Sequence, residues 1–148
     1  FCISTGTGGD NLADIYRRPL LIVNFSSLSY LVSWNDCITV PKHLVWRKTE
    51  MALTLNENLE NRFENTQDYD QAGIYFKDLT EQEITDAVKE RLDRLNGTWQ
   101  ENRRDVALQN RFWEQFKAWS DFSKLHGWIH PEARIGSDFL RKKGSGYL

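Results

Sequence analysis

Residues 1–24 constrain the fold more than any other stretch of the chain. An apolar start, Phe1-Cys2-Ile3-Ser4, is broken by Thr5-Gly6-Thr7-Gly8-Gly9. Asp10 to Tyr16 then carries helical spacing, and Arg17-Arg18-Pro19 leads into Leu20-Leu21-Ile22-Val23-Asn24. Pro19 cannot continue a helix and biases the residue before it toward extended backbone. The unbroken apolar run after it suits a parallel strand buried on both faces. Strand, glycine turn, short helix and strand make a βαβ unit. The expectation is therefore an α/β fold, a Rossmann-like open parallel sheet, in which the short helix turns Leu12, Ala13, Ile15 and Tyr16 inward.

The remainder reads as mostly helical. Residues 25–48 are irregular, with serines scattered among Tyr30, Trp34 and Trp46, and long ordered loops of this kind often carry function. A helix is predicted over Leu53 to Phe63, with Thr54 as N-cap and Glu57 as its capping-box partner. Asn65 to Gly73 reads as a polar turn region and Ile74-Tyr75-Phe76 as a short strand. Thr80-Glu81-Gln82-Glu83 is a capping box that opens a helix to about Leu95, with Ile84, Ala87, Val88, Arg91, Leu92 and Leu95 on its inner face. Asn96-Gly97 stops it. A second long helix runs from Trp99 to about Leu125, so the sheet is expected to carry a helical C-terminal extension, and the tail from His126 is mixed. No repeat or internal boundary divides residues 1–148, which read as one domain. The chain starts inside a strand without an initiator Met, which predicts an upstream region.

Composition removes several classes of function. The net charge is -2 with both signs interspersed, so no basic platform for nucleic acid is present. No apolar run reaches the roughly 18 residues that span a bilayer. The two cysteines, Cys2 and Cys37, cannot build a disulfide framework and read as reduced core thiols of a cytoplasmic protein.

The loop Thr5-Gly6-Thr7-Gly8-Gly9 is the sharpest chemical signal. Glycines allow positive φ and close backbone approach. The helix after it offers free N–H groups and the positive end of its dipole to an anion, and two threonine hydroxyls add donors. No Gly-Lys-Ser/Thr follows, so it is not a Walker loop, and Asn11 stands where a GxGxxG fingerprint needs glycine. The alternative is a tight strand-to-helix turn without a ligand. Asn24 falls at the carboxyl end of a presumed parallel strand, where ligands gather in open α/β sheets, or is an ordinary turn residue. Lys42, after Pro41, can bring positive charge to phosphates, or is a solvated surface lysine.

The run Ser4-Thr5-Gly6-Thr7-Gly8-Gly9, a helix and then Arg18-Pro19-Leu20-Leu21-Ile22-Val23-Asn24 resembles the donor-side motif of GT-B glycosyltransferases and of nucleotide-sugar 2-epimerases. The closer likeness is to a group of bacterial glycosyltransferases of surface-carbohydrate biosynthesis. It continues through Val40-Pro41-Lys42, Leu53-Thr54-Leu55-Asn56-Glu57, the helix Leu79 to Gly97, and Ala133-Arg134-Ile135-Gly136-Ser137-Asp138-Phe139-Leu140. The resemblance implies the carboxy-terminal, donor-binding part of a two-domain enzyme, with Thr7, Gly8 and Gly9 lining the diphosphate site and a glycan or lipid-linked acceptor bound by the other half. It implies a nucleotide-sugar as substrate with no resident cofactor or metal, at a cytoplasmic site that extends to the inner membrane surface. The family's ribose-binding Glu is replaced by Leu12 and Ala13, with Asp14 one further on, a departure that weakens the epimerase alternative.

Other candidates compete with plainer roles. His126 and His130 have helical metal-ligand spacing, but Gly127 and Pro131 oppose a helix there. His43 is a candidate base beside the loop, and Glu57 a candidate donor-site carboxylate already explained by capping. The stripe Phe112, Trp113, Phe116, Trp119 and Phe122 reads as helix packing or, alternatively, as a membrane or lipid-carrier contact. With neither a catalytic triad nor paired catalytic carboxylates in the pattern, a third reading is a non-catalytic interaction module.

Overall fold

A computed structural model describes residues 1–148. It is a mixed α/β structure built on a four-stranded parallel sheet whose strands lie in the order Cys2–Ser4 (β1), Leu20–Phe25 (β2), Cys37–Pro41 (β3) and Arg134–Ile135 (β6). The predicted βαβ start is present: β1 spans Cys2–Ser4, α1 spans Asp10–Ile15 and β2 spans Leu20–Phe25. The third strand, β3 at Cys37–Pro41, lies inside the stretch expected to be irregular, and every one of its residues is buried. Serines and aromatics around it hide a five-residue run, Cys-Ile-Thr-Val-Pro, that is too short to stand out by periodicity.

β4 (His43–Trp46) leaves the sheet and pairs antiparallel with β5 (Ile74–Lys77) to form a separate two-stranded ribbon. Two short helices lie between them. α2 is Leu55–Glu60, shorter than expected, with the Thr54/Glu57 capping box complete. α3, Thr66–Gln71, replaces the predicted polar turn, and the Asn65 side chain caps it by accepting from the Asp68 N–H. The reciprocal Thr54/Glu57 box satisfies two backbone donors at its helix start and the Asn65 cap satisfies one.

α4 spans Glu81–Leu95 behind its Thr80/Glu83 box, as predicted. Its inner face is narrower than expected, because Leu92 and Leu95 are exposed while Ala87, Glu90 and Arg91 are buried. The second long helix begins only at Arg103, where Asn102 caps it, and ends at Ala118 as α5; α6 (Phe122–Leu125) is a separate turn. The tail is not a purely helical extension. β6 (Arg134–Ile135) joins the sheet beside β3, and α7 (Ser137–Lys143) follows it.

The strand alternation divides the core between two faces. Leu21, Val23, Ile38 and Val40 belong to a cluster of 16 buried residues that includes Phe112 and Phe116 of α5 and Phe139 and Leu140 of α7. Leu20, Ile22 and Cys37 point the other way and form a cluster of three, covered by Cys2, Ala13, Phe25 and Val32. The aromatic stripe is therefore packing: Phe112 and Phe116 are fully buried, and Trp113, Trp119 and Phe122 lie against them.

The expected inner face of α1 is not there. Leu12, Ile15 and Tyr16 are 64%, 72% and 71% exposed, and Asp10 is the buried residue. A helix of six residues beside the edge strand covers little of the sheet, and only Ala13 reaches it.

Candidate functional site

The carboxyl ends of β1 and β2 open onto a cavity of about 970 Å³. Thr5, Gly6 and Thr7 supply one wall, from the loop that ends β1. Asn24, Phe25, Ser26 and Ser27 leave β2 along the floor, and Tyr30 and Trp34 follow from the β2–β3 connection. Lys42 enters from the end of β3. The α2–α3 turn (Phe63, Glu64), α3 (Tyr69), β5 (Phe76) and Asp78 just after it close the far side. Five of the seven residues singled out in the sequence thus share one cavity: Thr5, Gly6, Thr7, Asn24 and Lys42. The other two do not line it. Gly9 faces a separate shallow groove along β1, and the N–H of Gly8 is turned to Asp10.

Local geometry explains the glycine at position 6. Its φ is +77°, and a Cβ there would lie 2.7 Å from the Phe25 ring. Both conditions exclude a side chain.

The loop also holds an anion of its own. Asp10 Oδ1 accepts from the Gly8 N–H at 2.9 Å and from the Ser4 hydroxyl at 3.1 Å. Ser4 Oγ in turn accepts from the Gly6 N–H at 3.0 Å. The Asp10 carboxylate and the Ser4 hydroxyl thus each occupy a backbone donor that the sequence assigned to a ligand. The threonine hydroxyls of Thr5 and Thr7 stand outside this network.

The two remaining candidates have structural partners as well. Asn24 adopts φ +55°, and its side-chain oxygen accepts from the Leu79 N–H at 2.8 Å, tying the end of β2 to the start of α4. Lys42 Nζ, half-buried, lies 2.7 Å from the exposed Asp78, a surface pair of the kind worth roughly 0–1 kcal/mol. The lining carries three carboxylates, Asp10, Glu64 and Asp78, against the single ammonium of Lys42. Asp10 and Asp78 are already partnered inside the protein.

Sequence reasoning missed the aromatic wall. Trp34 Nε1 donates to Asp14 Oδ2 at 2.9 Å, and Asn35 Nδ2 donates to Asp14 Oδ1 at 2.8 Å. Asp36 beside them holds the buried Arg91 of α4 at 2.8 Å. The only sequence signal was aromatic residues spaced through a serine-rich loop, which names no contact.

The histidines and Cys37 are occupied elsewhere. His126 bridges Ser33 Oγ (2.9 Å) and the Ser29 carbonyl (3.0 Å), and His130 Nδ1 accepts from the Glu132 N–H. Burial lowers the pKa of His126 against a smaller opposing effect of the Ser29 carbonyl. His43 does not line the cavity. It lies 3.0 Å from Glu83 and stacks on Phe139; burial and the nearby Lys143 lower its pKa although Glu83 opposes them. Burial pushes the Cys37 thiol up to about 12, so it is an inert core group, and Cys2 is free and half-buried. Glu57 is held by its capping box and accepts from the Trp46 indole N–H.

No helix is long and apolar enough to cross a membrane. Comparison with family models, with curated proteins and with solved structures finds no match to this chain.

Proposed function

We propose that the cavity binds the diphosphate of a nucleotide-sugar, and that the chain is the donor-binding part of a glycosyltransferase of GT-B type acting in surface-carbohydrate synthesis. One observation carries the reading. Residues chosen from the sequence for a phosphate site, Thr5, Gly6, Thr7, Asn24 and Lys42, line a single cavity at the carboxyl edge of a parallel sheet. Open α/β sheets take their ligands at that edge, and the volume lies within the ~300–1,000 Å³ of small-molecule sites.

In this reading the Thr5 and Thr7 hydroxyls donate to the diphosphate, and Lys42 shifts from Asp78 to the charge that grows on the leaving group. The acceptor, a glycan or lipid-linked glycan, belongs to a partner region at the membrane surface, and the catalytic base is not assigned to this chain.

Calorimetric titration with uridine, guanosine and cytidine diphosphates and their sugars tests the proposal. One of them is expected to bind, and Thr7→Asp is expected to abolish that binding, because it adds a carboxylate to the cavity wall. Asp10→Asn removes the competing charge and is expected to tighten binding several-fold. Absence of nucleotide binding, or binding indifferent to Thr7→Asp, would overturn the reading in favour of an interaction module. Inversion at C2 of a free nucleotide-sugar without acceptor would replace it with an epimerase.

A further inference from the structure

The cavity has a wall that the phosphate reading leaves unused. Trp34 and Tyr30 both line it, and they remain 47% and 53% exposed. Large aromatics left half in water at a cavity mouth, rather than folded into the core, are surface available to a ligand.

Trp34 is also fixed in place. The single polar atom of the indole donates to Asp14 Oδ2, and the other oxygen of that carboxylate accepts from Asn35. The Asn35 side-chain oxygen accepts from the Asp36 N–H, and the Asp36 carboxylate is held by Arg91, itself buried in α4. A chain of hydrogen bonds thus runs from the exposed ring into the core. Its hub, Asp14, stands on α1, the helix that begins at the glycine loop. The ring and the loop are therefore positioned by the same short helix. An exposed ring held this way loses little further freedom when something stacks on it.

We propose that the indole face of Trp34, flanked by Tyr30, is the stacking platform for the nucleobase of the bound nucleotide, with Asp14 as the residue that positions it. The inference rests on the nucleotide reading above and adds the part of the ligand that reading leaves without a partner. A flat neutral ring suits this wall for two reasons. Every base offers a π-face to an aromatic side chain, and a neutral ring meets no repulsion from the acidic lining, whereas a second anionic group would.

Calorimetry with uridine, guanosine, cytidine and adenosine 5′-diphosphates, set against inorganic pyrophosphate, separates the two claims. Trp34→Ala is expected to weaken the tightest nucleoside diphosphate fivefold or more, which is about 1 kcal/mol. It should leave pyrophosphate within twofold. Trp34→Phe keeps a ring and should stay within threefold for both. Trp34→Leu keeps apolar bulk without a π-face; it repeats the expectation for alanine and serves where alanine disturbs folding. A loss below fivefold in both truncated variants, or an equal loss for pyrophosphate, overturns the platform and leaves the phosphate site standing. Failure of every nucleotide to bind the wild-type protein overturns both.

Discussion

The two faces of the parallel sheet are built on different principles. One face turns Leu21, Val23, Ile38 and Val40 into a cluster of 16 buried residues closed by α5 and α7. The other offers Leu20, Ile22 and Cys37 to a thin cover of Ala13, Phe25 and Val32, and its helix leaves Leu12, Ile15 and Tyr16 in water. The contrast assigns tasks: the thick face holds the sheet together, and the thin side carries the loop and cavity. A site that must admit a ligand is better placed where few contacts have to be broken.

The largest effect should come from the thick face. Phe116 is fully buried and touches Phe112, Trp113, Trp119, Phe122 and His126. Phe116→Ala is expected to destabilise the protein by roughly 3–5 kcal/mol in urea unfolding. A loss below about 1 kcal/mol would mean that the two faces share the load.

A smaller effect separates the faces by pH. His126 sits against Phe116 and Phe122, and burial lowers its pKa below the ordinary 6.5; His43, stacked on Phe139, shifts the same way. The unfolded chain then binds more protons than the folded one as pH falls through that value, so stability should drop on acidification. His126→Gln is expected to flatten the melting-temperature profile between about pH 7 and 5. An unchanged slope would place the acid sensitivity elsewhere.

The smallest effect belongs to the thin side. Ile15→Ser should change stability by no more than about 0.5 kcal/mol, since the side chain is 72% exposed. A loss comparable to that of Phe116→Ala would show that α1 is covered in solution.

What could be read from the amino-acid order followed the same division. The glycine turn between Ser4 and Asp10, the Pro19 break and both Thr-x-x-Glu boxes are local signals, and each appears where it was expected. β3 escaped because five residues within a serine- and tryptophan-rich stretch show no period, and their burial depends on β2 and β6 on either side. β6 escaped because a two-residue strand has no pattern of its own. In the site, Thr5, Gly6 and Thr7 announced themselves by type and spacing. The Asp10 carboxylate inside the loop, the Leu79 N–H on Asn24 and the Asp14 hold on Trp34 are side-chain contacts that spacing does not encode. Helical periodicity also overstated α1, because amphipathic spacing reports what a helix could bury and not whether a surface lies beneath it.

The pairing of Ile38 with Arg134 has a consequence for how the molecule is made. β6 supplies Ile135, a fully buried member of the large cluster, from a point far from β3 in sequence. On a ribosome, β1, β2 and β3 emerge well before β6, so the far side of β3 stays unpaired until β6 has been synthesised. Closing so long a loop is slow, since chain entropy opposes it until the distant contact forms. During that interval Ile38 and Val40 lie beside an open strand edge, which leaves the nascent chain vulnerable to misassembly until β6 arrives.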